Sequence, residues 1–130
     1  MDTLFKTSSE QSQRGAIVGV GVDIESVDRF RKLPYTRNVL FYKKVFSPKE
    51  IRYCRSKKES AMYFAVRFAA KEAAIKAVGR KVKNLCEFAV GRDTGGKPTL
   101  GMEGLPHLAF HVSLAHTREY AIAVVIAYSK

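Results

Sequence analysis

The sequence predicts an α+β domain in which a mostly antiparallel sheet packs against a long buried helix. Three observations carry that expectation. Gly15–Ile24 (GAIVGVGVDI) alternates with period two. Ser60–Val78 (SAMYFAVRFAAKEAAIKAV) is alanine-rich and free of Gly and Pro. The last third of the chain holds further alternating segments separated by turn-forming residues. At 130 residues, 46% hydrophobic and 27% charged, the chain has the size of one domain. Such a domain supports a core without metal or disulfide staples. The composition excludes collagen-like and wholly disordered classes. The expected division is a flexible N-terminal extension at 1–14 and a single folded unit at 15–130.

In the first strand Val18, Val20, Val22 and Ile24 share one face, and Gly19, Gly21 and Asp23 share the other. The glycine face has no side chains before Asp23, so another backbone or a ligand can come close there. The strand is expected to be central in its sheet. Ser47-Pro48 with Glu50 reads as an N-cap, a proline at the first helical position and a capping-box acid, which starts a helix of about two turns. The 60–78 helix should stop at Gly79, with Arg80 and Lys81 just beyond. Two strands, 87–92 and 98–102, flank the turn Asp93-Thr94-Gly95-Gly96. A second hairpin, 108–115 and 120–128, flanks His116–Glu119.

The net charge of +11 is concentrated. Between Arg29 and Lys58 there are eleven basic residues and one acid, Glu50, so this stretch carries +10 of the total. Such a field attracts polyanions: nucleic acid, an anionic membrane, a phosphorylated small molecule or an acidic protein. A solvated face with no partner is the plain alternative. No run approaches the ~18 apolar residues of a membrane span, and MDTLFKTSSEQSQR has no signal-peptide apolar region. Cys54 and Cys86 have neither metal-ligand spacing nor the number for a disulfide framework. A reducing, cytoplasmic setting is expected.

On a helical wheel Ala61, Phe64, Phe68 and Ile75 form one apolar stripe. Glu72 falls inside it and Lys76 on its edge, on a helix that should be buried on most sides. A buried carboxylate there costs several kcal/mol unless it is paired or holds a metal. One reading is an intrahelical Glu72–Lys76 pair. The other joins Glu72 to Asp23 and Glu25 around a hard cation. Mg²⁺ suits such a set, because it takes one or two carboxylates and completes its shell with waters and phosphate oxygens.

GVGVDIESVDRF, RFAAKEAAIKAVG and HVSLAHTREYAIAVVI, with the Gly95–Pro98 GGKP, resemble the signature regions of the 4′-phosphopantetheinyl transferases in their short holo-acyl-carrier-protein synthase form. The resemblance covers roughly residues 15–128. It implies that fold, and transfer of phosphopantetheine from coenzyme A to a serine of an apo acyl carrier protein, leaving 3′,5′-ADP, with Mg²⁺. Position by position, it implies Asp23 and Glu72 as magnesium ligands, with Glu25 as a possible third, and Lys76 beside the pyrophosphate. Glu72 and Lys76 are thereby the catalytic candidates. The general base stays open between Glu72, a metal-bound water and a group on the carrier. Lys58, Arg67, Gly79, Lys97, Pro98 and His116 match coenzyme positions, most of them at the nucleotide end with its 3′-phosphate. By itself His116 reads as a turn histidine.

The resemblance also implies docking of the acidic carrier protein through Arg29, with Arg31, Lys32, Arg37 and Lys44 as further candidates. It implies a homotrimer with the coenzyme between subunits, and neither a nucleic-acid nor a membrane partner. Two departures stand out. Ala115 replaces a hydroxyl residue common in the family, and Glu25 makes an Asp-x-Glu pair more typical of the longer, pseudodimeric members. The main rival is a basic nucleic-acid-binding module, because Phe30, Tyr35, Phe41, Tyr42 and Tyr53 interleave with Arg and Lys. A magnesium-dependent phosphohydrolase is the second rival; it would use the same carboxylates without a docking surface.

Overall fold

The computed structural model describes residues 15–79, 82 and 84–130. The expected extension at 1–14, and Arg80 and Lys81, lie outside the described residues. The elements in order are β1 (Ile17–Ser26), α1 (Val27–Arg31), a 3-10 turn (Tyr35–Arg37), α2 (Val39–Val45), α3 (Pro48–Arg55), α4 (Ser60–Val78), a second 3-10 turn (Leu85–Glu87), β2 (Phe88–Arg92), β3 (Pro98–Met102), β4 (Leu108–His116) and β5 (Tyr120–Ser129). One antiparallel sheet has the order β1-β5-β4, and β2 and β3 form a separate hairpin. The α+β expectation holds, and α4 has the bounds its sequence predicts.

The strand carrying Asp23 is not central. It is an edge, and β5 takes the middle, pairing with both β1 and β4. The reason lies in β5 itself. Its inward residues Ala121, Ala123, Val125 and Ala127 are fully buried, and three of the four are alanines, so α4 lies close across it. The same closeness extends over β1. A Cβ on Gly19 or Gly21 would collide with the carbonyl oxygens of Ala77 and Ala73 on α4. The two glycines therefore admit helix backbone, and β1 ends beside α4 with Asp23 facing it.

The outer sheet face is apolar and exposed: Val18, Val20, Val22 and Ile24 from β1 with Ile122 and Val124 from β5. The inner core has two parts. One gathers Val27, Phe30, Tyr42, Phe46 and Phe64 beneath the short helices. The other packs the alanines of α4 against β5 and against Phe88, Val90, Leu100 and Val112. Phe30 and Tyr42 are thus interior, and Tyr35, Phe41 and Tyr53 pack partly buried against the first cluster. The aromatic residues that favoured base stacking build the core instead.

The expected caps of α3 and α4 both form. Ser47 and Glu50 make the reciprocal capping box of α3, with Pro48 inside its first turn. Gly79 closes α4 in the left-handed conformation (φ 76°), and its N–H donates to the Ile75 carbonyl. Among the described residues no helix is long and apolar enough to cross a membrane.

Candidate active site

The β1–α4 contact builds the site. Asp23 leaves β1 on the side of the two glycines, Glu25 follows two residues later on that side, and α4 brings Glu72 and Lys76 over them. Lys76 Nζ donates to the Val22 carbonyl oxygen at 2.9 Å and to Asp23 Oδ1 at 3.3 Å. The ammonium crosses to the strand, and no Glu72–Lys76 ion pair is present. The intrahelical reading is overturned because the edge strand offers Lys76 both a carbonyl and a carboxylate. On the other flank, Arg29 Nη1 of α1 meets Glu25 Oε1 at 3.1 Å.

Three carboxylates crowd this spot, and their protonation shows it. Burial, and then the neighbouring Asp23, push the Glu25 carboxyl up to about 7, although Arg29 opposes them. Burial and Asp23 also raise Glu72, with Lys76 and Arg29 opposing. Asp23 Oδ2 is buried and has no hydrogen-bond partner. An orphaned carboxylate oxygen beside two carboxyls held above their ordinary values is a place where a cation would relieve the crowding. Among the described residues no three His, Cys, Asp or Glu form a ready cage. Mg²⁺ is commonly held by one or two carboxylates with several waters, a number that Asp23 with Glu72 supplies.

The other expected site residues are spread over the molecule. Arg67 is buried on α4, its guanidinium carbon 4.3 Å from the Tyr53 ring centre. It lines a cavity of about 440 Å³ with Lys49, Tyr53, Arg92 and Thr99. Burial pushes the Tyr53 phenol up, but Arg92, Arg67 and Lys57 outweigh that and hold it below its ordinary value. Lys97 and Pro98 border a separate depression of about 380 Å³ beside β4. Lys58 shares another with Arg31, Tyr35 and Arg55. Gly79 caps α4, three residues beyond Lys76.

His116 ends β4 in register with Ala121, which also pairs with Glu25. Two strand spacings of roughly 4.8 Å therefore separate the backbones of His116 and Glu25. His116 lines a cavity with Arg31, Glu59, Met62 and Arg118. Asp23, Glu25, Glu72, Lys76 and Arg29 are thus brought together, whereas Arg67, Lys97 and Lys58 belong to other openings.

Of the expected docking residues, Arg29 is half-exposed and lies 5.2 Å from the Phe68 ring centre. Arg31 donates to the Arg118 carbonyl oxygen at 3.1 Å, and Lys32 pairs with Asp28 at 3.0 Å. Arg37 and Lys44 are exposed. Sequence reasoning missed Tyr53 beneath Arg67, and a buried ion pair between Glu50 and Lys71 at 2.7 Å. Two signals pointed to that pair: a lone acid within a basic stretch, and a lysine among the alanines of a buried helix.

The family model of the 4′-phosphopantetheinyl transferase superfamily matches residues 19–125. A holo-[acyl-carrier-protein] synthase of Koribacter versatilis is 40% identical over 85% of this chain and 97% of its own. That of Trichlorobacter lovleyi is 38% identical over 85% and 96%. Among solved structures, the holo-(acyl-carrier-protein) synthase from Bacillus anthracis in complex with CoA (3′,5′-ADP) superposes with a TM-score of 0.77. It has 31% identity, covering 88% of this chain and 98% of that one. The holo-[acyl-carrier-protein] synthase from Neisseria meningitidis gives a TM-score of 0.76 at 27% identity, over 87% and 99%. Likeness of this extent in both sequence and fold shows that the chain belongs to the 4′-phosphopantetheinyl transferase superfamily, among the holo-[acyl-carrier-protein] synthases.

Proposed function

We propose that the chain transfers 4′-phosphopantetheine from coenzyme A to a serine of an apo acyl carrier protein, releasing 3′,5′-ADP, with Mg²⁺. The observation that carries the reading is the meeting of Asp23, Glu25 and Glu72 with Lys76, where Asp23 Oδ2 lacks a partner. The serine oxygen bonds to the pantetheine-side phosphorus as the bridge to the nucleotide phosphate breaks, and the serine loses its proton. Asp23 and Glu72 would hold Mg²⁺, with Glu25 beside them, and the ion would supply charge neutralisation for the diphosphate. Lys76 adds a second positive charge from a rigid helix, and in phosphoryl transfer such positioning and neutralisation supply most of the catalysis. Arg67, Lys97 with Pro98, and His116 hold the nucleotide end with its 3′-phosphate, Lys58 adds to that end, and Gly79 lies beside the diphosphate.

The acidic carrier protein meets the basic stretch at Arg29, with Arg31, Lys32, Arg37 and Lys44 contributing field more than fixed contacts. The active assembly is a homotrimer. Two facts support it: the apolar outer face of β1 and β5, and the absence of Asp23, Glu25 and Glu72 from the lining of the Arg67 cavity within one chain. We place the unit at residues 15–130, acting in the cytoplasm. The test is release of 3′,5′-ADP from coenzyme A and Mg²⁺ with and without apo carrier protein. Release only with carrier supports transfer. Equal release without carrier would make the chain a phosphohydrolase.

A further inference from the structure

We propose that the buried Glu50–Lys71 pair is a positioning device that sets the walls of the Arg67 cavity, and through them the grip on the coenzyme's nucleotide end. The inference rests on the reading of that cavity given above. Lys71 is wholly buried, and its Nζ donates to Glu50 Oε1 at 2.7 Å and to the Val45 carbonyl oxygen at 2.8 Å. Glu50 Oε1 also accepts from the Ser47 N–H at 2.8 Å, and Oε2 accepts from the Val90 N–H at 2.7 Å. Two side chains thereby fix α4 to the end of α2, the start of α3 and β2.

Stability alone does not call for such a pair, because apolar residues of similar volume often replace a buried ion pair at no loss. What the pair adds is geometry. Ser47, Glu50 and Val90 are themselves walls of the Arg67 cavity. Arg67 lies one helical turn before Lys71, and it rests on Tyr53 of α3, three residues after Glu50. Arg67 Nε is buried with no hydrogen-bond partner, so that atom gives the side chain no fixed bond of its own. Its aim follows the placement of α3 against α4, which the pair holds.

The test measures kcat and KM with coenzyme A and with dephospho-coenzyme A, which lacks the 3′-phosphate. Glu50→Gln/Lys71→Met removes both charges and leaves no ion unpaired, so it should melt cooperatively. Its KM for coenzyme A should rise roughly tenfold, about 1.4 kcal/mol of lost binding. Its kcat should stay within about twofold, because the nucleotide end does not react. KM for the analogue should hardly move. Glu50→Asp keeps the charge but shortens its reach, and should show the same split if the double variant fails to fold. Arg67→Ala is the control and should lose the preference for the 3′-phosphate. A folded pair variant with wild-type KM and preference, beside an Arg67→Ala that has lost them, overturns the positioning role. An Arg67→Ala that keeps the preference shows instead that the cavity reading itself is wrong, and the inference falls with it.

Discussion

At Asp23 one carboxylate oxygen meets Lys76 and the other is buried without a partner, so removing the side chain leaves the two raised carboxyls nothing to share. Asp23→Ala and Glu72→Ala should each cost several kcal/mol of transition-state stabilisation, a fall in turnover of roughly a hundredfold or more. Folding should survive, because like-charge crowding is relieved. Thermal melting beside a turnover assay checks both parts. Lys76 and His116 should separate by kinetic parameter. Lys76→Ala should lower kcat, since charge develops at the diphosphate. His116→Ala should mainly raise KM for coenzyme A, since its contact is equal in ground and transition states. Glu25 sets a pH dependence. Its folded carboxyl titrates near 7, above the ordinary Glu value of about 4.3. Between those values the folded state binds more protons than the unfolded one, so without Mg²⁺ stability falls as pH rises through this window. Melting curves from pH 5 to pH 8 should show that slope in the wild type and less of it in Glu25→Gln. Added Mg²⁺ should stabilise the wild type more at pH 8 than at pH 5.

Among the elements, the contact of β1 with α4 decides whether a site exists. Gly21→Ala places a methyl against the Ala73 carbonyl, so strand and helix must part, and overpacking of this kind costs about 1–3 kcal/mol or more. The melting temperature should drop, and Mg²⁺ should protect the variant less than the wild type, because Asp23 and Glu72 separate. A variant with wild-type melting and wild-type Mg²⁺ protection would show that the close approach is dispensable. Most of this architecture is legible in the chain. Alternation marked the strands, alanine content and Gly79 bounded α4, and Ser47 with Glu50 announced α3. The glycine face of β1 foretold a close approach by a backbone or a ligand, and the backbone of α4 makes it. Strand order was not legible, because alternation reports which face is buried and carries nothing on which strand is the neighbour. The intrahelical Glu72–Lys76 alternative failed for a related reason: a helical wheel shows partners on its own helix and none across a tertiary contact. The Glu50–Lys71 pair joins residues distant in sequence, and Glu50 already had a complete local explanation as a capping acid.

For the whole molecule, the basic middle and the apolar sheet face make separable predictions. Charge reversal at Arg29 should raise KM for carrier protein. Because Arg29 also pairs with Glu25, some loss of kcat should accompany it, whereas reversal at Arg37 should affect the carrier alone. Both effects should shrink at high salt, as the Debye length falls from about 10 Å at 0.1 M to about 3 Å at 1 M. Val124→Asp, on the exposed face of β5, should shift the sedimenting species from trimer to monomer and reduce activity with it. A fully active monomer would remove the need for a neighbouring subunit. The most direct measurement is the intact mass of an apo acyl carrier protein incubated with coenzyme A, Mg²⁺ and the enzyme. The wild type should add one phosphopantetheine to the carrier, and Glu72→Ala should add almost none in the same time. No mass gain with the wild type, or equal gain with Glu72→Ala at saturating Mg²⁺, would contradict the account.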